Sequence, residues 1–512
     1  MKKYFVIAAL MGTMPLAAQE TYENAKLMGE DLNGTARYVG MGGAMEALGA
    51  DLSTISSNPA GLGLFRHSTA SFSAGAVIQS GAESFAKGDK TNISFDQLGF
   101  VYAVQTGENS FLNFGVNYHK SKNFNFILAA ANGLDGNSSQ NKLTYEKLRN
   151  GFFTNVHDAN YSQLDDIYVG NLLYDETDDA YYAYGATDYM LNREHEGYIA
   201  DYDFNISGNI QDRIFLGLTF GVKDVNYKHH GTYAETLQFG PLTTIDDREI
   251  EGTGFDIKAG VIVRPIEESP FRVGFYVHTP TWYDLTTSNN TVMTDGTVNV
   301  RCGESYDFKV FTPWKFGLSL GHTVGKILAL GATYEYADYG STKTRVNDRG
   351  YYDAFDHYDD SSNDRFMNDH TSATLKGVST LKLGAEYKPI PELALRLGYN
   401  YVSPKYEKSG EKGYCVYPTG VSEIGTYYSS ATDYTNWKGT NRVTFGVGYQ
   451  IDKFNIDLAY QYSAQKGDFY PFTTTTFGPE EGEAATANYN IATKSSVKNN
   501  RNQLLLTVGY HF

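Results

Sequence analysis

Cysteine is nearly missing from this 512-residue chain: Cys302 and Cys415 are the only two. Two cysteines cannot make the disulfide framework of a small secreted scaffold. Both lie in segments that read as loops on one side of the chain, so a single bond between them is compatible with the sequence. No spacing of His and Cys suggests a metal. A long apolar run is missing too, since nothing beyond the first 18 residues approaches the ~20 apolar residues of a spanning helix. Positive charge is in short supply: 42 Lys and Arg stand against 59 Asp and Glu, a net charge of -17. That balance argues against nucleic acid as a partner. What the chain has instead is aromatic side chains, 14% of it, with 41 tyrosines and 30 phenylalanines, although its mean hydropathy of -0.40 makes it polar on average. A membrane protein of that composition must be a β-barrel, whose strands alternate lipid-facing apolar residues with polar lumen-facing ones. The alternative on composition alone is a secreted β-rich protein.

The two ends favour the barrel. The first residues, MKKYFVIAALMGTMPLAAQE, combine two lysines, an apolar stretch from Tyr4 and small residues at Ala17 and Ala18, the pattern of a secretory signal peptide cut after Ala18. No cysteine follows that cut, so a lipid anchor is not expected there. The last ten, QLLLTVGYHF, place Leu504, Leu506, Val508, Tyr510 and Phe512 on one face and end on an aromatic, like the closing strand of an outer-membrane barrel.

Between the ends, apolar residues recur with period two. Residues 68–80 put Ala70, Phe72, Ala74, Ala76 and Ile78 on one face, 93–107 put Leu98, Phe100, Tyr102 and Val104, and 110–126 put Leu112, Phe114, Val116 and Tyr118. Such alternation is the mark of a half-buried strand. It resumes at 197–209, 212–228, 252–264, 271–281, 304–323, 327–337, 377–388, 392–402, 440–451, 453–464 and 501–512, which makes fourteen strands. A count that splits 304–323 at Pro313 gives fifteen; an even number is required if both ends lie on the periplasmic side, so Pro313 is read as an irregularity within one strand. The connections alternate between short turns and long loops, the latter at 127–196 with a helix near 143–153, and at 229–251, 282–303, 338–376, 403–439 and 465–500. Short periplasmic turns and long extracellular loops are the habit of outer-membrane barrels.

Residues 35–65 are unlike the rest. Glycines at 34, 40, 42, 43, 49, 61 and 63 are too dense for a stable helix or strand, and Asn58-Pro59 starts a turn. The order GTARYVGMGGAMEALGADLSTISSNPAGLGLFR, residues 34–66, resembles the N-terminal hatch of the FadL/TodX-like transporters of hydrophobic compounds. The rest of the chain is similar to that family in architecture rather than by motif. The resemblance implies an all-β fold, a transmembrane antiparallel barrel of about 14 strands with the hatch in its lumen, divided as 1–18 signal peptide, 19–67 hatch and 68–512 barrel. It implies passive uptake of hydrophobic molecules such as long-chain fatty acids, captured among extracellular loops and released sideways through an opening in the third strand when the hatch shifts. On this chain the insertion 127–196 becomes the capture candidate, Gly40, Gly42, Gly43, Asn58, Pro59 and Ala60 the hatch and gate, and Gly115 the expected opening in the wall. Gly115 has a second reading, as a residue that makes room for the hatch.

The polar faces carry Lys223, Asp256, Lys258, Arg272, His278, Glu335, Lys382, Glu386, Arg396, Arg442 and Asp457. Both signs of charge in a lumen can pair with each other and hold a hatch by polar contacts. His119 and His278 offer no spacing that marks catalysis, and the acid-rich runs 175–179 and 356–364 lack a calcium-loop pattern; no enzyme activity, cofactor or metal is expected. The expected partners are a fatty-acid-like hydrophobic ligand and the lipids and lipopolysaccharide of a Gram-negative outer membrane, around a monomer. A porin-like channel and a surface adhesin or ligand-binding barrel are the alternatives.

Overall fold

A computed structural model of the chain describes residues 20–151, 162–296, 299–347, 361–413, 431–476 and 489–512. The expected leader and Cys415 lie outside the described residues. Fourteen strands form the wall: β1 (Thr69–Ser80), β2 (Thr91–Gly107), β3 (Ser110–Asn123), β4 (Ala186–Ile210), β5 (Ile214–Leu237), β6 (Gly240–Val263), β7 (Arg272–His278 continued by Trp282–Thr294), β8 (Asn299–Phe311 continued by Lys315–Val324), β9 (Leu328–Asp338), β10 (Gly377–Ile390), β11 (Leu393–Val402), β12 (Tyr434–Ile451), β13 (Phe454–Tyr470) and β14 (Ser495–His511). Each pairs antiparallel with the next, and β14 closes on β1 from Thr69↔His511 to Ser80↔Asn500.

Outward positions such as Phe72, Leu98, Phe114, Phe204, Phe220, Leu397 and Leu506 are exposed and apolar. Inward neighbours such as Ser73, Asn113, Asp203 and Thr507 are buried and polar. A soluble barrel would reverse these faces. This is a multi-pass outer-membrane barrel, with its apolar belt in lipid.

Pro313 sits where the parity argument put it. β8 pauses at 312–314 and β7 at 279–281, and the two pauses face each other, since His278 pairs with Lys315 below them and Trp282 with Phe311 above. Thr312 N–H bonds the Thr281 carbonyl at 3.1 Å, so the wall stays bonded across them.

The loops expected at 229–251 and 282–303 are strand instead. β5 and β6 run on to a connection at 238–239, and β7 and β8 continue as a hairpin. At about 3.3 Å per residue the 24-residue β5 is roughly 80 Å long, far taller than the ~25 Å apolar belt. Above the belt the outward face carries Lys228, Glu249 and Glu251 rather than apolar residues, and the alternation that marks a strand in lipid disappears. For the same reason β4 begins at Ala186 rather than 197. The insertion 127–196 holds a strand, Phe126–Gly133, paired with upper β4, and helices α3 (Gln140–Arg149) and α4 (Gln163–Tyr168); α4 packs with Leu173, Leu237, Leu242 and Met293 on the inside of the tall wall.

Residues 20–67 fill the lumen as a plug: α1 (Thr21–Leu27), α2 (Ala36–Gly40) and two 3₁₀ turns, Leu52–Ser56 and Pro59–Leu64. Its turn at 40–44 lies against a row of wall glycines in direct register, Gly321↔Gly331↔Gly384↔Gly398. A methyl group on Gly331 would collide with the Ala44 carbonyl, on Gly384 with that of Met41, and on Gly398 with the Gly42 nitrogen. Gly42 and Gly43 have φ of +63° and +80°, the left-handed region that glycine enters without strain.

Gly398→Val is therefore expected to leave the strands intact while pushing the 40–44 turn off its seat. Overpacking of this kind costs about 1–3 kcal/mol. The check is limited proteolysis of purified barrel: residues 20–67 become cleavable while the heat-modifiable barrel band remains.

Candidate functional site

The plug is held at its base by two anchored turns. Gly40 and its neighbours meet β11 and β12, where a Cβ on Gly40 would lie 3.1 Å from Gly446 Cα. Asn58, Pro59 and Ala60 form the other anchor, all three buried. Asn58 bonds the Glu46 carbonyl at 3.0 Å, and Ser207 bonds that of Pro59 at 2.9 Å. The wall answers with Gly217 and Gly260, cross-strand neighbours whose missing Cβ atoms leave room for Pro59 and Asn58. Gly115 does the same for Leu62 and Ile55. It is paired on both sides, to Val101 and to Asn205, so the ladder is intact at this residue.

Charges do the rest of the fastening, some joining plug to wall and others pairing within the wall. Lys382 pairs with plug Glu46 at 2.8 Å and with Glu335 at 2.9 Å. Plug Arg37 reaches Glu386 at 3.1 Å, which also binds Arg396 at 2.6 Å; Arg396 continues to Asp457 at 2.5 Å. Lys315 pairs with Glu30, and Arg248 with Glu23, both at 2.8 Å. Arg272 and His278 bond the plug carbonyls of Leu48 and Ser57. Lys223 and Lys258 bind Asp201 and Asp203, with Asp256 between them. His119 stands beside Asp201 and Asp203, but two ammonium groups already occupy the place a cation would take.

Above Gly115 the pairing of β3 with β2 ends. β2 and β3 pair from Gly107↔Ser110 up to Gln97↔His119 and no further, although β2 runs on to Thr91 and β3 to Asn123. The freed edge of β3 is taken up by the plug. Asp31 N–H bonds the Ser121 carbonyl at 2.8 Å, and Asn123 N–H bonds the Asp31 carboxylate at 3.0 Å. The Asn33 amide spans the gap, donating to Asp96 and to the Lys120 carbonyl, each at 2.9 Å. Below the gap, Phe72, Phe95, Tyr118 and Tyr202 form a chain of ring contacts 4.9 to 5.5 Å apart on the lipid side.

Above the same plug segment is a cavity of about 230 Å³, larger than the ~150 Å³ that holds a benzene ring. Phe124, Phe126, Leu128, Tyr406, Tyr434 and Trp437 make its apolar wall. Its charged residues are unbalanced. Lys26, Arg193 and Lys438 are paired with Glu23, Asp433 and Asp468, which leaves Lys122, Lys405, Arg442 and Arg501 with two carboxylates, Asp31, 3.7 Å from Arg442, and Glu30, which is itself paired with Lys315. Lys122 donates to the Met28 and Gly29 carbonyls at 2.6 and 3.2 Å, and Arg501 to those of Asn123 and Asn125. Burial and the Lys122 charge push the Lys405 ammonium well below the usual lysine range, against the pull of Asp31. These are the conditions an incoming anion relieves. Sequence reasoning had listed Arg442 among the lumen charges and missed Lys122, Lys405 and Arg501, which come together from two strands and a loop.

No protein-family model matches this chain, and no curated protein sequence does. Among solved structures it is similar to a Pseudomonas aeruginosa FadL homologue, at 12% identity and a TM-score of 0.51, over 94% of this chain and 99% of that one. The Ralstonia pickettii toluene transporter TbuX follows at 13% and 0.49, and the P. putida toluene transporter TodX at 12% and 0.48, each over 94% of this chain and 99% of the other. Identity this low shows a shared fold: the barrel with its plug is of the FadL type.

The top of the plug is set by Glu23. Burial alone would raise its carboxyl, but Arg248 and Lys26 outweigh burial and hold it well below the usual carboxylate range. A group depressed in the docked state stabilises docking above its free value, and the contribution is lost as pH falls through the docked value. Hydrogen exchange of residues 20–27, corrected for intrinsic rates, is expected to match at about pH 7 and about pH 5 and to accelerate only below the ordinary carboxylate range. Glu23→Gln leaves Arg248 buried without its partner, a loss of about 3–5 kcal/mol, and should accelerate the same amides at neutral pH.

Proposed function

We propose that this chain is a channel for passive uptake of hydrophobic molecules with an anionic head, long-chain fatty acids being the model, and that the plug gates a lateral exit through the barrel wall. The observation that carries this reading is the position of plug residues 28–33: 28–31 line the cationic, aromatic-walled cavity, and Asp31 and Asn33 stitch the parted edge of β3. A carboxylate seated among Lys122, Lys405, Arg442 and Arg501 competes with Asp31 for the same cations. Once Asp31 lets go, its bonds to Ser121 and Asn123 and the Asn33 bridge have less to hold them, and the gap clears toward the aromatic sill on the lipid side. The two anchored turns at 40–44 and 58–62 stay seated, so the lumen remains blocked to water-soluble solutes while the apolar path opens.

The proposed gate moves accordingly. Asn58, Pro59 and Ala60 serve as the fixed end of the plug, and 28–33 as its moving end. The proposed exit lies at 120–123 of β3 rather than at Gly115. The four-cation cavity favours a charged head over a neutral hydrocarbon here.

Lys405→Met and Arg442→Met each remove one cation while keeping volume. Each is expected to weaken oleate binding roughly tenfold, about 1.4 kcal/mol, with little change for toluene. Native mass spectrometry of the purified barrel should find a long-chain carboxylate in near-stoichiometric amount. Equal loss for oleate and toluene, or a retained ligand without an anionic group, would overturn the assignment.

A further inference from the structure

Where β2 leaves β3, β1 stays in the wall, paired with β14 as far as Ser80↔Asn500, and the tip of the β1–β2 hairpin departs above it. The pairing of β1 with β2 shifts by one residue at Ser73/Ala74, opposite Asp96, and the tip at 81–90 crosses to the outside. Arg193 and His195 line the lumen cavity, so Glu194 between them points outward. A Cβ on Gly88 of the tip would lie 2.8 Å from Glu194 Cβ. Phe85 stacks on His230, centroids 5.9 Å apart at 19°; His230 is outward by the same alternation, beside the inward His229. At the base of the tip the Gln79 amide bonds both the N–H and the carbonyl of Ile127, at 2.7 and 2.8 Å, as a neighbouring strand would. Ile127 pairs with Glu194 and Glu194 with His230, so one level of the wall carries all three contacts.

The gap is thus the wedge between β3 and the hairpin, whose β2 stays with β1 while it parts from β3. Its inner side is filled by plug residues 31–33, and its outer, upper side is roofed by the hairpin tip. We propose that the 81–90 tip is an outer lid on the wall gap, moving on the turn at Gly81, so that release into lipid requires two closures to open, the plug inside and the lid outside. Gly81 is a natural bending point: β1 is paired with β14 only as far as Ser80, and Gly81 has a φ of +74° with open space around the position of a Cβ. Among the described residues the contacts holding the lid down are few, one ring pair and one glycine packing, with the Gln79 amide fixing its base. Glu194 is buried beneath the tip with Oε2 lacking a partner among the described residues, so this contact is the least settled of the closed lid. The inference rests on the lateral-exit reading above.

Gly88 and Glu194 are placed for a cross-link, since disulfides need Cβ atoms about 3.5–4.5 Å apart and a small shift of the tip supplies that. In full-length chain with Cys302 and Cys415 replaced by serine, G88C/E194C is oxidised in cells and uptake of radiolabelled oleate is measured. The lid predicts a fall of about tenfold or more on oxidation, reversed by reductant, as for other gating segments. A cross-linked protein, verified by mass, that takes up oleate at the reduced rate overturns it. F85A reads the same device without a cross-link: a faster initial rate is expected, and a rate equal to the parent chain counts against the lid. N33C/D96C, which pins the plug across the gap, separates the two closures. If pinning the plug stops uptake and pinning the tip does not, the lid falls and the lateral exit stands; if neither stops it, the lateral exit falls as well.

Discussion

Backbone lying directly on a β-sheet leaves no space for side chains on either surface, and this contact is what the lumen is built around. The row Gly321, Gly331, Gly384 and Gly398 removes four side chains from adjacent strands at one level. The plug meets that bare strip with the backbone of Met41, Gly42 and Ala44 and, at Gly321, with Ala47 and Leu48. A second bare strip, Gly217 and Gly260, receives Asn58 and Pro59. Neither strip has a use without a plug, because glycine in a strand gives up packing and backbone entropy. The plug in turn is too rich in glycine to hold its shape outside the barrel. Wall and plug each make the other's composition tolerable.

Close backbone contact alone gives position without much attraction, and buried ion pairs supply the rest. Lys382 between Glu46 and Glu335, and the chain Arg37, Glu386, Arg396, Asp457, are satisfied on nearly every side. Such networks gain little over an apolar core, yet they are costly to break one partner at a time. That asymmetry suits a plug which must sit in one orientation. The upper cavity departs from the pattern. Four cations around Asp31 leave the charge unbalanced in a chain that is strongly acidic as a whole, and unbalanced charge in a buried place points to a ligand rather than to stability.

The sequence carried the barrel wherever lipid touches it. Leu112, Phe114, Val116 and Tyr118 alternate because one face meets hydrocarbon and the other the lumen, and strand number, closing strand and the long β8 through Pro313 were all legible. Above the membrane the rule loses its cause. The outward face of upper β5 and β6 meets water, so Lys228 and Glu249 replace Phe and Leu, and the upper parts of these two 24-residue strands, 229–251, read as a loop. The glycine cluster in the plug was legible as close packing, but its seat was not: Gly331, Gly384 and Gly398 are far apart in sequence and align only once register is known. A search for glycines at equivalent lumen positions of successive strands would have found them. The wall opening was sought at a glycine, on the idea that a missing side chain is a weak point. A missing side chain opens nothing while both ladders hold, and Gly115 is paired on both sides. The proposed exit lies instead where backbone pairing itself ends, which single-strand periodicity cannot register.

That distinction explains why the plug is uneven. Its lower half is bound to the wall by contacts that cannot be exchanged, carbonyls and amides seated on bare backbone. Its upper half, around Asp31 and Asn33, is bound by hydrogen bonds and a cation pair that a ligand's carboxylate and its apolar tail can replace in kind. On the proposed reading, the first sort of contact keeps water-soluble molecules out, whatever the ligand does. The second then lets a molecule with a charged head and a hydrophobic body exchange places with the plug at the level where β2 and β3 are parted. A neutral ligand would occupy the aromatic side of the cavity but offer nothing to the cations that hold Asp31, so occupancy alone would not free the gap. Selectivity would therefore belong to the fastening of 28–33 as much as to the shape of the cavity above it.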